Sequence, residues 1–566
     1  MRIWRPAPKR LCCIAAIGRI VLATRIVILG GGFGGMYAAR ALQRRLGTVA
    51  RIELINAENY FVFQPLLPEV GAGSITPANA VSPLRFLLRD VFVRKAVVDS
   101  VDFDKRIVTV FQGVQRRPTE VPYDHLVIGL GQTVDLSRMP GLEDHALKMK
   151  TLEDARRLRA HVIEQLEHAQ ITQLPEVKRS ALTFCVVGGG FSGIETVGEM
   201  KELIDRSLKF YPDIDPAEVR VMVVEYANRI LAEMPERLAR YATDTLARHG
   251  IALKLGTGVA SATGTHLVTT TGEVIDTRTI VATIGNAPSP VVQRMALPFD
   301  RGRIAVDRTL GVKNRPGVWA LGDCALIPIK DGATGPRDFA PPTAQFAVRE
   351  AKLLAENIAA AIEGKTPRPF SYKSRGALAS LGARRGVAEV MGLQLTGFPA
   401  WLLWRFYYLA FLPGITTRIQ VLLNWFMDGL SPRSVVQLRA HSPSAARYVH
   451  YRAGDQIYEL GNRSDGFYTV ISGAVEMTTT DPATGALRLR RIGPGDHFGE
   501  RLILGATRRQ TSVRAIEDTK VLVMDRDEFM KLAEGFSAFR DYFGPYMARH
   551  GMKWPPDSTT ETRPEQ

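Results

Sequence analysis

The chain has 566 residues, 46% of them hydrophobic, and a formal charge of +16. That length calls for several domains, and the apolar content is enough to give each a core. Only four cysteines occur, Cys12, Cys13, Cys185 and Cys324. None forms a C-x-x-C pair or a Cys/His cluster with metal or iron–sulfur spacing, which argues against thiol–disulfide exchange and against a metal centre. Scarce, scattered cysteines fit a reducing cytoplasm. The positive charge points to a polyanionic partner or an anionic membrane face; with no recognised binding motif beside it, nucleic acid is disfavoured.

Residues 1–23 form a basic extension with a short apolar run, Leu11 to Ile17. The run is too short for a signal peptide and lacks a cleavage site, so it reads as a disordered extension or a start site placed too far upstream. The buried-strand run Ile26-Val-Ile-Leu29 then enters Gly30-Gly-Gly-Phe-Gly-Gly35, a G-x-G-x-x-G fingerprint that opens a helix. Gly30 permits the tight turn, Gly32 lets backbone approach a pyrophosphate, and Gly35 lets the helix pack on its strand. The helix N-terminus presents free N–H groups to phosphates. The next strand, Arg51 to Ile55, ends at Asn56, where an acid usually holds the ribose. An amide oxygen can accept that bond without charge assistance; the alternative is a plain turn residue.

The pattern repeats at Gly188-Gly-Gly-Phe-Ser-Gly193, with Gly188, Gly190 and Gly193 in the same three roles. Here the following strand, Val221 to Val224, ends at Glu225. A carboxylate accepts bonds from a free 2′-OH and repels a 2′-phosphate, which favours NADH over NADPH, although Arg229 lies close in sequence. Two such sites in one chain point to two dinucleotides that exchange electrons.

Two more segments, Tyr123-Asp-His-Leu-Val-Ile-Gly-Leu-Gly131 and Val318-Trp-Ala-Leu-Gly-Asp-Cys-Ala325, complete a resemblance to the two-dinucleotide flavoprotein reductases. The resemblance implies FAD on the first fingerprint, with Asn56 and Gly131 beside it and Asp323 on the ribityl chain, and NADH on the second. Within that group, four segments are similar to the type II NADH:quinone oxidoreductases: Asn59 to Leu67, Gly190 to Glu199, Pro341 to Glu350, and Gly376 to Gly382. This implies nicotinamide contact near Glu195 and Gly285, and quinone beside Gln345. Glu195 and Gln345 are therefore the catalytic candidates, with a structural helix carboxylate as the alternative for Glu195. Arg349 stands where the family motif has its second Gln.

Phe398 to Leu430 is rich in Trp, Tyr, Phe and Leu, and Pro413-Gly414 splits it into two pieces. Neither reaches the ~20 apolar residues of a spanning helix. Aromatics with interspersed Arg405 and Arg418 suit helices lying in the headgroup plane, with Arg384, Arg385, Arg433 and Arg439 adding attraction to anionic lipid. A buried helix pair or a dimer interface is the alternative.

After Ser431, short β-like runs separated by glycine turns predict a small antiparallel barrel followed by a helix. Tyr468 to Gly473, Phe498 to Leu504 and Arg508 to Val513 resemble the cyclic-nucleotide-binding domain. The resemblance implies Glu500 on the ribose 2′-OH and Arg509 on the cyclic phosphate of cyclic AMP or cyclic GMP. Arg508 replaces the usual Pro.

The expected fold is thus α/β: two Rossmann-like dinucleotide-binding domains, the NADH domain inserted in the FAD domain, then amphipathic membrane-anchor helices and an all-β cyclic-nucleotide-binding-like barrel with helices. The expected boundaries are 1–23 for the extension, 24–150 and 275–375 for the FAD domain, and 151–274 for the NADH domain. The membrane segment is 376–437, the barrel domain 438–545 and the disordered tail 546–566. The implied activity is a non-proton-pumping NADH:quinone oxidoreductase, peripheral on the cytoplasmic side of the cell membrane, open to regulation by cyclic nucleotide and to homodimer formation. Hydride chemistry belongs to the cofactor, so no nucleophile or metal is required. The alternatives are a soluble flavoprotein reductase with a protein acceptor, and a cyclic-nucleotide signalling module on an inactive scaffold.

Overall fold

The computed structural model describes residues 23–113, 117–431, 433–436, 446–461, 466–480, 487–499, 509–524, 529 and 532. The tail, Arg439, Glu500, nearly all of the basic extension and most of the helical segment expected after the barrel lie outside the described residues. Six helices position the functional side chains: α1 (Phe33–Leu46), α2 (Leu67–Gly71), α3 (Phe191–Ser207), α4 (Ala344–Ile362), α5 (Gly397–Phe411) and α6 (Ile415–Leu430).

The chain divides into two compact units. The first comprises the residues through Phe61, then Pro83–Gly131 and Pro288–Tyr372. Its seven-stranded sheet runs Val318–Ala320, His125–Ile128, Thr24–Leu29, Ala50–Asn56, Phe92–Asp102, Ile107–Gln112, Arg117–Pro122. The first five are parallel and the last two pairings antiparallel. Central strands covered on both faces must be apolar throughout, and Ile26, Val27, Ile28 and Leu29 are all buried. Helices α1 and α4 pack against each other in this unit.

The second unit comprises Val62–Ser82, Gln132–Ala287 and the chain from Lys373 onward. It holds an all-parallel five-stranded sheet in the order Leu147–Lys148, Thr279–Ala282, Thr183–Val187, Arg220–Val224, Ile251–Lys254. Cys185 lies fully buried in its central strand, and burial pushes the thiol up to about 12, as suits a small core residue rather than a nucleophile. A three-stranded antiparallel sheet, Gly376–Ser380, Gly386–Val390 and Leu393–Thr396, leads into α5 and α6. Two four-stranded antiparallel sheets follow, closing on a core that includes Tyr458, Tyr468, Val470, Phe498, Val513 and Val521.

The barrel docks on Asp144, His145 and His266 within this unit. His145, in the short helix Leu142–His145, places Nε2 2.9 Å from His450 Nδ1 on the strand Ala446–Tyr451. Lys520 donates to Asp144 at 3.0 Å, and His266 lies 3.8 Å from Asp455. Burial, then the neighbouring His450, pulls His145 down from 6.5 to about 4, and burial lowers His450 too. A histidine held neutral gives its full stabilisation above its free pKa and loses it as pH falls from 6.5 towards 4, because the undocked ring binds the proton. Limited proteolysis is therefore expected to release the barrel near about pH 5 and not at about pH 7.5. His145→Gln, which cannot charge, should flatten that difference.

Candidate functional sites

The two glycine loops have nearly the same geometry. Gly30 and Gly188 turn at φ of +98° and +112°, outside the range that L side chains favour. A Cβ at Gly35 would lie 1.8 Å from the Gly30 carbonyl oxygen, and one at Gly193 equally close to that of Gly188. Each helix thus sits directly on its own turn, with no room for a side chain. At Gly32 and Gly190 the opposite holds: a Cβ would meet nothing within 4 Å. These two residues are the N-caps of α1 and α3, and neither helix has a side-chain cap. The N-cap glycines thus border open space, and the first-turn amides have no side-chain cap, as phosphate binding requires.

Each loop is braced by the residue at the end of the next strand. The Gly31 amide donates to Asn56 Oδ1 at 2.8 Å, and Asn56 Nδ2 donates to the Glu58 carbonyl at 2.8 Å. In the second loop the amides of Gly189 and Ala227 donate to the two carboxylate oxygens of Glu225. Gly285 lies past the strand Thr279–Ala282, where Thr283 donates to the Val187 carbonyl at 2.9 Å. The structure therefore gathers Gly188, Gly190, Gly193, Glu225 and Gly285 at one end of one sheet.

In the first unit, Gly131 ends the segment after His125–Ile128, and the Leu321 amide donates to the Ile128 carbonyl at 3.1 Å. That pairing sets Leu321 against the first glycine loop, where a Cβ at Gly34 would lie 3.1 Å from its side chain, and the Gly322–Cys324 turn with Asp323 follows directly. A residue not singled out from sequence holds this turn: Glu350 of α4 accepts from the Gly322 amide at 2.8 Å. Glu350 is 1% exposed, and burial, with Asp323 nearby, pushes it up to about 8. Gln345 and Arg349 lie on the same helix. Arg349 donates to the Gln345 carbonyl at 3.0 Å and stacks 4.7 Å from the Tyr372 ring.

Glu195 is buried in α3 at 6% exposure. It accepts from Trp404 Nε1 at 2.7 Å and from the Ser380 amide at 3.2 Å, tying α3 to α5 and to the strand Gly376–Ser380. Burial pushes it up to about 8 against both bonds. Around it lies a charge cluster that sequence reading missed. Glu69 of α2 pairs with Arg405 at 3.3 Å, and Trp425 Nε1 donates to both its oxygens at 3.1 Å. Arg405 stacks between Trp401 and Trp425, at 4.2 and 4.4 Å from their ring centres. Arg433, expected to face lipid, is instead buried between Glu199 at 3.3 Å and Asp428 at 3.0 Å. A guanidinium stays charged, so once inside it demands carboxylate partners. Arg418 donates to the Ala410 and Leu412 carbonyls at 2.8 Å and so closes the end of α5.

The outer faces of these helices are apolar and uncovered. Phe398, Leu402 and Phe406 on α5, and Ile415, Ile419, Leu422, Leu423, Phe426 and Leu430 on α6, are all exposed. No described helix is long and apolar enough to cross a membrane. In the barrel, Arg509 is 4% exposed and stacks 4.1 Å from Tyr458 and 5.3 Å from Tyr468. Its guanidinium donates to the carbonyls of Gly466 at 2.8 Å and Gly499 at 3.5 Å.

Trp404→Phe removes an indole donor from a buried carboxyl and is expected to lower stability by about 1–3 kcal/mol, measured by denaturant unfolding. Glu195→Gln keeps an acceptor and should cost less. A carboxyl raised to about 8 in the fold weakens stability as pH climbs from 4.5 towards 8. Glu195→Gln should reduce that decline.

Residues 24–351 match the pyridine nucleotide-disulphide oxidoreductase family, 374–434 the NDH2 C-terminal domain, and 448–535 the cyclic nucleotide-binding domain. The type II NADH:quinone oxidoreductase Ndh of Mycobacterium tuberculosis is 31% identical over 425 residues, 72% of this chain and 89% of that protein. The demethylphylloquinone reductase NdbB of Synechocystis is 30% identical over 411 residues, 71% of this chain and 95% of that protein. A solved structure of NDH2 from Plasmodium falciparum in complex with NADH shares the fold, with a TM-score of 0.68 at 20% identity over 73% of this chain and 100% of that one. By these matches, and by the paired loops that underlie them, the chain belongs to the type II NADH:quinone oxidoreductases.

Proposed function

We propose that the protein oxidises NADH and reduces a quinone with FAD as its redox group, lying peripherally on the cytoplasmic face of a membrane. The observation that carries this reading is the pair of braced glycine loops, each with open space at its middle glycine. The first loop fits FAD: uncapped amides for the pyrophosphate, Asn56 at the ribose position and Asp323 on the adjoining turn. FAD, when bound, supplies the two-electron chemistry between NADH and quinone.

The chain's own residues place the partners. The Gly188–Gly193 loop and the N-terminus of α3 take the NADH pyrophosphate. Each Glu225 oxygen accepts one amide and keeps a lone pair for a ribose hydroxyl. A 2′-phosphate would meet that carboxylate, so NADH is preferred. Glu350 holds the Gly322–Asp323 turn in place. Glu195 acts as a positioning residue that keeps the nucleotide-binding helix in register with α5. Gln345 is assigned to the quinone, with Arg349 stacked beside it on Tyr372. The exposed apolar faces of α5 and α6 are assigned to lipid, because Arg384 lies beside both helices, which suits anionic headgroups.

Purified protein is expected to show flavin absorbance and rapid NADH oxidation that depends on a soluble quinone. A flavin that NADH reduces and no quinone reoxidises would sink this reading in favour of a protein acceptor. Glu225→Ala should raise KM for NADH by roughly tenfold and narrow the preference over NADPH, with kcat affected less.

Cyclic AMP or cyclic GMP binding at Arg509 is a second proposal, supported by the match to the cyclic nucleotide-binding domain. Arg509 would exchange the Gly466 and Gly499 carbonyls for a phosphate, a charge-assisted partner. Calorimetric titration with both nucleotides should give saturable heat that Arg509→Gln removes. No heat from either nucleotide on the unmodified protein would refute binding.

A further inference from the structure

Between α3, α5 and α6 lies a cavity of about 240 Å³ that the dinucleotide loops do not use. Its aromatic lining is Phe398, Trp401 and Trp425, and its guanidinium groups are those of Arg206, Arg384, Arg405 and Arg433. Three of the four are engaged. Arg206 pairs with Glu202 at 2.9 Å and Asp428 at 3.1 Å, Arg433 with Asp428 and Glu199, and Arg405 with Glu69. Arg384 has no ion pair or hydrogen bond among the described residues.

Arg384 is also held in an uncommon way. It and Ala383 form the turn between the strands Gly376–Ser380 and Gly386–Val390, at φ of +60° and +46°. Both are left-handed positions that Gly or Asn would normally fill. The turn cannot easily relax, because it is pressed on α3. A Cβ at Gly198 would lie 2.6 Å from the Leu381 carbonyl, and one at Gly382 2.6 Å from the Gly198 carbonyl. A strained turn, clamped by two glycines, thus presents an unpaired cation to an aromatic-walled cavity.

The charge balance favours an anion. The lining carries three carboxyl groups, Glu199, Glu202 and Asp428, against four guanidinium groups, so a positive group is left over at Arg384. The mouth is continuous with the apolar face: Phe398 lines the cavity and begins the exposed row Phe398, Leu402, Phe406. An anion here would therefore arrive attached to something apolar.

We propose that this cavity binds the phosphate headgroup of an anionic glycerophospholipid, with Arg384 as the anchoring cation and Trp401 and Trp425 as walls. The proposal rests on the reading of α5 and α6 as a lipid-facing surface and gives that surface a headgroup preference.

The test is co-sedimentation of the full-length protein with phosphatidylcholine vesicles, and with the same vesicles containing roughly 30% phosphatidylglycerol. The protein should bind the mixed vesicles more tightly. Arg384→Gln should lower that affinity by roughly fivefold and leave binding to pure phosphatidylcholine, and turnover with soluble quinone, unchanged. Arg384→Lys should keep most of the preference. Arg384→Gly relieves the left-handed backbone, so it should melt no lower than the parent while still losing the preference, which separates charge from folding. Arg384 variants that prefer phosphatidylglycerol as the parent does would overturn the site and leave the membrane reading intact. A parent protein that binds neither vesicle would overturn the membrane reading itself. Soluble glycerol phosphate that raises the melting temperature of the parent and not of Arg384→Gln, with no lipid preference in sedimentation, would assign the cavity to a free phosphate and overturn the lipid source.

Discussion

The bond from Trp404 to Glu195 is the buried anchor of the contact between α3 and α5. It joins α3, which begins at the second glycine loop, to α5, whose outer face is apolar and exposed. An amphipathic helix with one uncovered face gains little from burial on that side. Its position must be fixed from the inside by directional contacts. Glu195 supplies one, and Glu69 supplies a second through Trp425 and Arg405. Two buried carboxyls and three tryptophans thus set the register of two helices whose hydrophobic surfaces point away from the protein.

Burying carboxyls for this purpose has a consequence for their protonation. Desolvation raises Glu69, Glu195, Glu199 and Glu350, and in each case it is the largest influence. Nearby guanidinium groups oppose it where they are close, at Glu69 and Glu199. Glu195 and Glu350 rely chiefly on hydrogen-bond donors, an indole and backbone amides, and settle near 8. A neutral carboxyl tolerates a low-dielectric site and still accepts a hydrogen bond, so it serves as a joint without needing a counter-ion.

Much of the fold was legible in the sequence because its strongest signals are local. A strand, a tight glycine turn and a helix N-terminus occupy a dozen consecutive residues, and the bracing Asn56 and Glu225 fall where the next strand must end. The segments around Gly131 and Asp323, which the Leu321 amide joins at the Ile128 carbonyl, are short local patterns of the same kind. The charge cluster was not. Glu69 meets Arg405 and Trp425 across more than three hundred residues, and Glu199 meets Arg433 across more than two hundred. Nothing in the local pattern tells an arginine on an aromatic helix that it will be buried. Arg433 read as a lipid contact on composition alone, whereas its neighbours Asp428 and Glu199 draw it inside. Glu350 closes the Pro341 to Glu350 segment, yet only the fold shows that it caps the Gly322 turn.

The two glycine loops are one backbone device used twice. Their turns, clashes and open middle glycines are the same in kind. What differs is the brace. Asn56 spends its amide nitrogen on the Glu58 carbonyl and offers a neutral oxygen to its loop, while Glu225 offers two charged oxygens. A dinucleotide that stays bound needs many contacts and no strong preference at the ribose. One that must come and go in a cell holding both NADH and NADPH needs a group that rejects the 2′-phosphate, and a carboxylate does this through repulsion as well as attraction. A neutral brace therefore suits a resident dinucleotide and a charged one an exchanging dinucleotide. The difference between the two sites lies in a single side-chain charge on otherwise equivalent scaffolds.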